Sequence, residues 1–165
     1  MRLAHFIATV GYVGHMRPAP GTWGSLVALP LAWLIHVLGG PWLLGIAIVA
    51  GFIKGVWATA KVTEGKEDHD PSEVVIDEVV GQWIALLPLS IGAWHTGAEI
   101  TALWPGWITA FVAFRAFDIL KPGPIGWADR RNDALGVMLD DVIAGVFAAI
   151  VVLLLAGLAH GVFAG

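Results

Sequence analysis

The chain contains five long apolar runs, which are separated by short polar or glycine-rich segments. The runs cover approximately 22–38, 42–60, 75–93, 102–120 and 136–160. A helix rises about 1.5 Å per residue and bilayer hydrocarbon is about 30 Å thick, so each run can form a helix that crosses a membrane or nearly does so. Gly39-Gly40-Pro41 ends the first run. The pattern predicts an all-α, polytopic membrane helix bundle of about five spans, forming a single domain over 1–165.

Composition agrees with a membrane protein. The chain has 58% hydrophobic and 13% charged residues, which is too little polar surface to cover a soluble globule. The net charge is −4 and the basic residues are scattered singly, so nothing favours nucleic-acid binding. The chain has no cysteine, which excludes thiolate metal ligands and a cysteine nucleophile.

Charged residues collect on one side of the predicted bundle. All nine Lys and Arg residues lie in, or at span ends beside, the amino-terminal segment and the loops 61–74 and 121–135. Twelve of the thirteen acidic residues lie on that side too, and Glu99 alone lies opposite. Because basic loops of membrane proteins face the cytoplasm, the charged side is predicted to be cytoplasmic.

Two acidic doublets stand at the starts of apolar runs. Asp77-Glu78 begins the third run and Asp140-Asp141 begins the fifth. An Asp carboxylate near hydrocarbon costs about 2.5 to 3.5 kcal/mol unless a cation, a metal or a water-filled cleft receives it. Carboxylates without His or Cys suit a hard cation such as Mg²⁺. With Asp118, these four acids are candidate metal ligands; the alternative is that some of them only cap helices.

Arg115, Asp118 and Lys121 are spaced three residues apart, so they follow one side of the fourth span toward its charged end. Arg can bind a phosphate through two parallel hydrogen bonds, and Lys adds a point charge. The spacing therefore predicts a phosphate-binding pair beside the candidate metal ligand Asp118. An alternative is an Arg115–Asp118 ion pair that neutralises itself.

Four further residues are weaker candidates. The segment 21–25, Gly-Thr-Trp-Gly-Ser, begins the first span. Its free amides, with Thr22 and Ser25, can form an anion-binding nest, although such residues are often ordinary helix caps. Asp70 and Asp129 lie in the charged loops and are second choices as a metal ligand or general acid.

Together these segments resemble the phosphatidylglycerophosphatase A family of bacterial membrane lipid phosphatases. The matching segments, in the family's order, are Pro-Gly-Thr-Trp-Gly-Ser at 20–25, Asp-Pro at 70–71 followed by Val-Ile-Asp-Glu-Val-Val-Gly at 75–81, Phe-Arg-Ala-Phe-Asp-Ile-Leu-Lys-Pro at 114–122, and Gly-Val-Met-Leu-Asp-Asp-Val-Ile-Ala-Gly at 136–145. Two positions depart from the pattern. Gly123 stands where Trp is frequent, and 132–135 replaces a His-Gly-Gly run, so no role for that histidine transfers to this chain.

The resemblance implies a Mg²⁺-dependent phosphomonoester hydrolase that converts phosphatidylglycerophosphate to phosphatidylglycerol. It places the protein in phospholipid metabolism and lipid degradation, as a multi-pass enzyme of the bacterial inner membrane whose active site faces the cytoplasm. The expected partners are a phospholipid substrate and the membrane, without nucleic acid. The number of metal ions, the nucleophile (water or a carboxylate), the lipid selectivity and the oligomeric state stay open.

The resulting hypothesis assigns a role to each candidate. The expected catalytic residues are Asp77, Glu78, Arg115, Asp118, Lys121 and Asp141. The expected metal ligands are Asp77, Glu78, Asp118, Asp140 and Asp141. Arg115 and Lys121, with Thr22 and Ser25, are expected to bind the phosphate. The alternative function is a small transporter or ion-coupled channel, which predicts acids spread through the depth of the bilayer.

Overall fold

The computed structural model describes residues 1–67 and 69–163, and in this part the chain is helical and contains no strand. The six α-helices are α1 (Arg2–Ala8), α2 (Pro20–Val62), α3 (Ile76–Thr96), α4 (Trp104–Leu120), α5 (Pro124–Asp129) and α6 (Ala134–Phe163). Short 3₁₀ helices occupy Val13–His15 and Ile100–Leu103. The predicted all-α class is confirmed.

Helix α2 is a hairpin of two helical halves. Its backbone leaves the helical region at Gly39 and at Gly40, where φ is 60° and ψ is −155°. Gly40 lies against Trp94 near the end of α3, where an added Cβ would come 2.5 Å from the indole ring. Gly24 and Gly55, on either side of the break, both lie against the start of α3. The two halves are therefore antiparallel. At Gly40, only glycine combines a positive φ with so close an approach to Trp94.

The hairpin brings the number of possible crossings to five. By length and composition, four helical stretches can cross a membrane: Pro20–Val62, Ile76–Thr96, Ile100–Leu120 and Ala134–Ala159. Because the first of these folds back on itself, it supplies two crossings. Large apolar side chains such as Leu153, Leu154 and Leu158 remain more than half exposed, which suits a surface that faces lipid.

Helix α3 is the centre of the bundle. In the apolar stretch of α3, 67% of the residues are buried, whereas 11–22% are buried in the stretches of the other three candidate spans. It contacts α2, α4 and α6. Glycines allow the closest approach, since a Cβ at Gly81 would lie 2.6 Å from the carbonyl oxygen of Asp141, and one at Gly145 would overlap the backbone of Gly81. The first turn of α3 is therefore held against the start of α2 and the early turns of α6.

Two predicted boundaries need correction. The segment 121–135, predicted as a polar loop, contains the helix α5 (Pro124–Asp129). Pro124 fits the first turn of a helix, and the buried Ile125 and Ala128 hold this short helix against the protein. Asp140-Asp141, predicted at the start of the fifth span, lies about two turns into α6, which begins at Ala134.

Candidate active site

Both acidic doublets have the same local geometry. The Oδ1 atom of Asp77 accepts a hydrogen bond from the backbone N–H of Glu78 at 3.0 Å. Likewise, Asp140 Oδ1 accepts one from the N–H of Asp141 at 3.0 Å. The exposed fractions are 6% for Asp77, 4% for Asp140 and 2% for Asp141. Each doublet therefore holds one backbone-anchored carboxylate and one further carboxylate, and all four side chains except the partly buried Glu78 lie in a nearly dry environment.

The acids of α3, α4 and α6 meet in two groups of three that share Asp141. One group is Asp77, Glu78 and Asp141, and the other is Asp118, Asp140 and Asp141. Within each group, one carboxylate oxygen from every residue lies within 4.8 Å of the others. All five predicted metal ligands are therefore brought together, although they come from three separate helices.

Two cations contact one side of this cluster. Arg115 Nη1 lies 2.5 Å from Asp118 Oδ2, which is the ion pair considered as an alternative from the sequence. Lys121 Nζ lies 3.7 Å from Asp118 Oδ1 and 3.0 Å from Asp129 Oδ1, and it also pairs closely with Asp140 Oδ2. Burial disfavours the charged form of Lys121, but the hydrogen bonds and charges of Asp140, Asp129 and Asp118 outweigh it and raise its pKa. Lys121 is therefore a cation at neutral pH.

The start of α2 reaches the same cluster. A Cβ at Gly21 would overlap the carboxylate of Glu78 and would lie 3.4 Å from Arg115 Nη1. Thr22 is half-buried next to it. The buried Ser25 hydroxyl donates to the carbonyl oxygen of Gly21 at 3.0 Å, which is a bond within the helix. The predicted phosphate contacts of Thr22 and Ser25 stay predictions, and the hydroxyl proton of Ser25 already has an acceptor.

The two second-choice acids lie at the exposed edge of the cluster. Asp129, at the end of α5, is exposed and paired with Lys121. Asp70 is exposed and interacts electrostatically with Asp77 and Asp140. Both are therefore near enough to the buried acids to act on a group bound there.

Two carboxylate oxygens in the cluster have no hydrogen-bond partner among the described residues. They are Glu78 Oε2 and Asp141 Oδ2, both fully buried as atoms. Leaving a buried charged acceptor unsatisfied costs more than about 1–3 kcal/mol, so such atoms are expected to contact a ligand. Mg²⁺ prefers an all-oxygen ligand set. The residues present therefore fit a Mg²⁺ ion.

One buried polar residue was not singled out from the sequence. Gln82 is fully buried, and neither atom of its amide has a partner among the described residues. It follows Glu78 by four positions, which puts it on the same face of α3 one turn further from the end. A polar residue at this spacing inside an apolar run is the signal that identifies it.

Comparison with known proteins identifies the family to which the chain belongs. The family model described as Phosphatidylglycerophosphatase A matches residues 6–156. The chain belongs to this family. The predicted family and the predicted class of enzyme, a lipid phosphatase, are thereby confirmed.

Three curated relatives cover most of the chain. Phosphatidylglycerophosphatase A of Escherichia coli K12 is 36% identical over 149 residues, covering 88% of this chain and 78% of the relative. That of Haemophilus influenzae Rd is 37% identical over 150 residues, covering 90% and 85%. A Bacteroides thetaiotaomicron protein, provisionally named a phosphatidylinositol-3-phosphatase, is 36% identical over 139 residues, covering 81% of each chain. No solved structure matches the chain.

Proposed function

We propose that this enzyme hydrolyses the terminal phosphomonoester of phosphatidylglycerophosphate in a Mg²⁺-dependent reaction. The products are phosphatidylglycerol and inorganic phosphate. The observation that supports the proposal is the meeting of five carboxylates with Arg115 and Lys121 at one end of an apolar bundle, in a chain of this family.

The metal is proposed from the donor set. Asp77, Glu78, Asp118, Asp140 and Asp141 would hold Mg²⁺ directly or through waters, and the unpartnered oxygens of Glu78 and Asp141 support this. A bound Mg²⁺ supplies Lewis acidity, which polarises the phosphate ester or lowers the pKa of a water molecule. The acids come from three helices, so helix packing orients the donors before any ligand arrives.

Arg115 and Lys121 bind the phosphoryl group. A phosphomonoester carries a charge close to −2 at neutral pH, and two adjacent cations stabilise the charge that its oxygens bear during transfer. Water attacks the phosphorus in line with the leaving oxygen, or a carboxylate does so first and water then hydrolyses the resulting aspartyl phosphate. The bond between phosphorus and the glycerol oxygen breaks, and that oxygen takes up a proton. The attacking water gives up a proton, and Asp70 and Asp129 are the candidates to pass it to that oxygen, because they lie at the exposed edge of the cluster.

The site is proposed to face the cytoplasm at the bacterial inner membrane. Arg115, Lys121 and the basic residues 130–131 lie at the same end of the bundle as the acids, and basic ends face the cytoplasm. A lipid substrate can then keep its acyl chains in the bilayer while its head group reaches the cluster.

The transporter alternative is less well supported. Transport across the bilayer favours ionisable groups at several depths. Here the five clustered acids lie in the first turn of α3, about two turns into α6 and in the last turn of α4, which are all at one end of the bundle. This arrangement and the family membership both favour hydrolysis.

A phosphate-release assay on the purified protein tests the proposal. Phosphatidylglycerophosphate, phosphatidic acid and phosphatidylinositol 3-phosphate are compared with Mg²⁺ and with excess chelator; the third lipid is included because of the name of the Bacteroides relative. We expect the fastest release from phosphatidylglycerophosphate and a loss of release with chelator. Equal rates on all three lipids would contradict the proposed substrate, and undiminished release in chelator would contradict the metal.

A further inference from the structure

The two groups of acids at the site differ in how their charge is balanced. We call Asp77, Glu78 and Asp141 the unpaired triad, and Asp118, Asp140 and Asp141 the paired triad. Among the described residues, no Lys or Arg lies within ion-pair distance of a carboxylate in Asp77, Glu78 or Asp141. The other two acids of the paired triad, by contrast, have basic partners.

The unpaired triad has the features of a site that binds a cation before substrate arrives. It holds three carboxylates and includes the unpartnered oxygen Glu78 Oε2, together with the unpartnered Asp141 Oδ2, which it shares with the paired triad. Asp77 and Asp141 are at least nine-tenths buried, so water does little to stabilise their charge. A divalent cation would neutralise most of this charge.

In the paired triad, by contrast, basic residues of the protein balance the charge of two carboxylates. Arg115 is paired with Asp118, and Lys121 is paired with both Asp118 and Asp140. Two cations already neutralise these two acids, and a divalent ion placed here would lie close to two positive charges. The protein's own basic residues therefore compete with a metal for this triad.

A phosphate changes that competition. Phosphate oxygens are strong acceptors for Arg and Lys, and the group carries close to two negative charges. If Arg115 and Lys121 turn to a bound phosphate, Asp118 and Asp140 lose their partners and become available to a metal. The phosphate would then lie beside a second cation position.

We propose that the site binds two divalent cations that share Asp141, in a fixed order. The first occupies the unpaired triad without substrate, and the second enters the paired triad only when a phosphate has engaged Arg115 and Lys121. This inference rests on the phosphate-binding role proposed above for those two residues. It assigns the second ion to the substrate complex and makes Asp141 the residue common to both ions.

The test uses Mn²⁺ as the probe and counts bound ions by electron paramagnetic resonance. Purified wild-type protein in detergent is titrated with Mn²⁺, with and without inorganic phosphate. We expect about one magnetically isolated Mn²⁺ per chain without phosphate, and about two spin-coupled ions with it. Two ions without phosphate would overturn the order, and a single ion with phosphate would overturn the second site. No binding in either condition would overturn this proposal and the metal dependence together, while chelator-resistant phosphate release would leave the hydrolysis itself standing.

Two variants distinguish the two proposed cation positions. Asp118→Asn should keep the first ion and lose the phosphate-induced one, whereas Asp141→Asn should lose both. Glu99→Gln, at the opposite end of the bundle, is the matched control and should bind Mn²⁺ as the wild type does. Thermal unfolding of each variant verifies that it is folded. A phosphate-induced second ion that persists in Asp118→Asn would overturn the assignment to the paired triad.

Discussion

Asp77 occupies the first turn of α3, with one carboxylate oxygen held by the amide of the next residue and the side chain almost wholly buried. Asparagine has nearly the same shape, and its carbonyl oxygen can accept the same hydrogen bond. Replacing Asp77 by Asn therefore removes the charge with little change in packing. This substitution therefore tests the charge of Asp77 separately from its packing.

We expect Asp77→Asn to reduce Mg²⁺-dependent phosphate release by more than about 100-fold, because even indirect partners of metal ligands commonly contribute 10- to 100-fold. The variant should remain folded in detergent by circular dichroism. Glu99→Gln, which removes an exposed acid at the other end, should retain wild-type release. Near-wild-type turnover in Asp77→Asn would remove this residue from the mechanism.

Gly21 is a second position where a single added methyl group is expected to change phosphate release. In Gly21→Ala, the new methyl group would overlap the carboxylate of Glu78, so that side chain must move away from the cluster. We expect a loss of phosphate release of at least about tenfold, equivalent to about 1.4 kcal/mol in the activation free energy. Gly45→Ala is the control, because a Cβ there meets nothing within 4 Å. The control should stay active and gain up to about 1 kcal/mol of stability, as alanine favours a helix. Equal activity in both variants would contradict the contact with Glu78.

At the scale of elements, the contact between α3 and α6 brings the two doublets together. Gly81 and Gly145 let the two backbones touch, one turn beyond each doublet. Gly145→Val should force the helices apart, costing about 1–3 kcal/mol in stability and moving Asp141 away from Asp77. Thermal unfolding and phosphate release should therefore fall together. Gly157→Val introduces the same residue in α6 where a Cβ meets nothing within 4 Å, and it should change neither quantity much.

The start of α6 depends on Asp133, which directly precedes the first residue of the helix. Its Oδ1 accepts a hydrogen bond from the N–H of Gly136 at 2.6 Å, and Oδ2 lies 2.9 Å from Arg131 Nη2. The hydrogen bond from Arg131, assisted by that from Gly136, lowers the pKa of Asp133. Its contribution to stability is therefore complete above the ordinary Asp pKa and is lost as the pH falls through the lower folded value.

We expect Asp133→Ala to lower the free energy of unfolding by about 1 kcal/mol at neutral pH, the usual effect of losing a helix cap. Asp133→Asn keeps a cap acceptor without the charge, so its stability relative to the wild type should improve as the pH falls below about 4. Unfolding measured across this pH range tests both variants. A constant difference between the wild type and Asp133→Asn would contradict the charge effect.

At the scale of the whole molecule, each helix that crosses the bundle changes the end at which the next loop lies. The loop at Glu99 and the segment at Arg131 lie at opposite ends of the bundle because α4 separates them. The chain has no cysteine, so single cysteines can report the two sides without background. Arg131→Cys should react with a membrane-impermeant thiol reagent only in inside-out vesicles, and Glu99→Cys only in intact spheroplasts. Labelling of both from one side would contradict the crossing of α4.

The sequence by itself determined the class of fold, the approximate spans, the end of the bundle that carries charge, and the family. These are properties of local hydropathy, residue counts and contiguous motifs, and each can be read along the chain. The break at Gly39-Gly40-Pro41 could also be predicted, because glycine and proline interrupt a helix locally. The short helix α5 was missed because six residues give too little periodicity to distinguish from a turn.

Only the tertiary structure decided which side chains act together. Asp141 belongs to both triads, Lys121 pairs with Asp140 across 19 positions, and Gly21 lies against Glu78. The proton of the Ser25 hydroxyl is directed into its own helix, which the motif did not predict. Such contacts depend on the packing of separate helices, where glycines set the approach, and a pattern along one helix carries no information about its neighbour. The sequence therefore identified the chemical groups, and the packing of α2, α4 and α6 around α3 arranged them into one site.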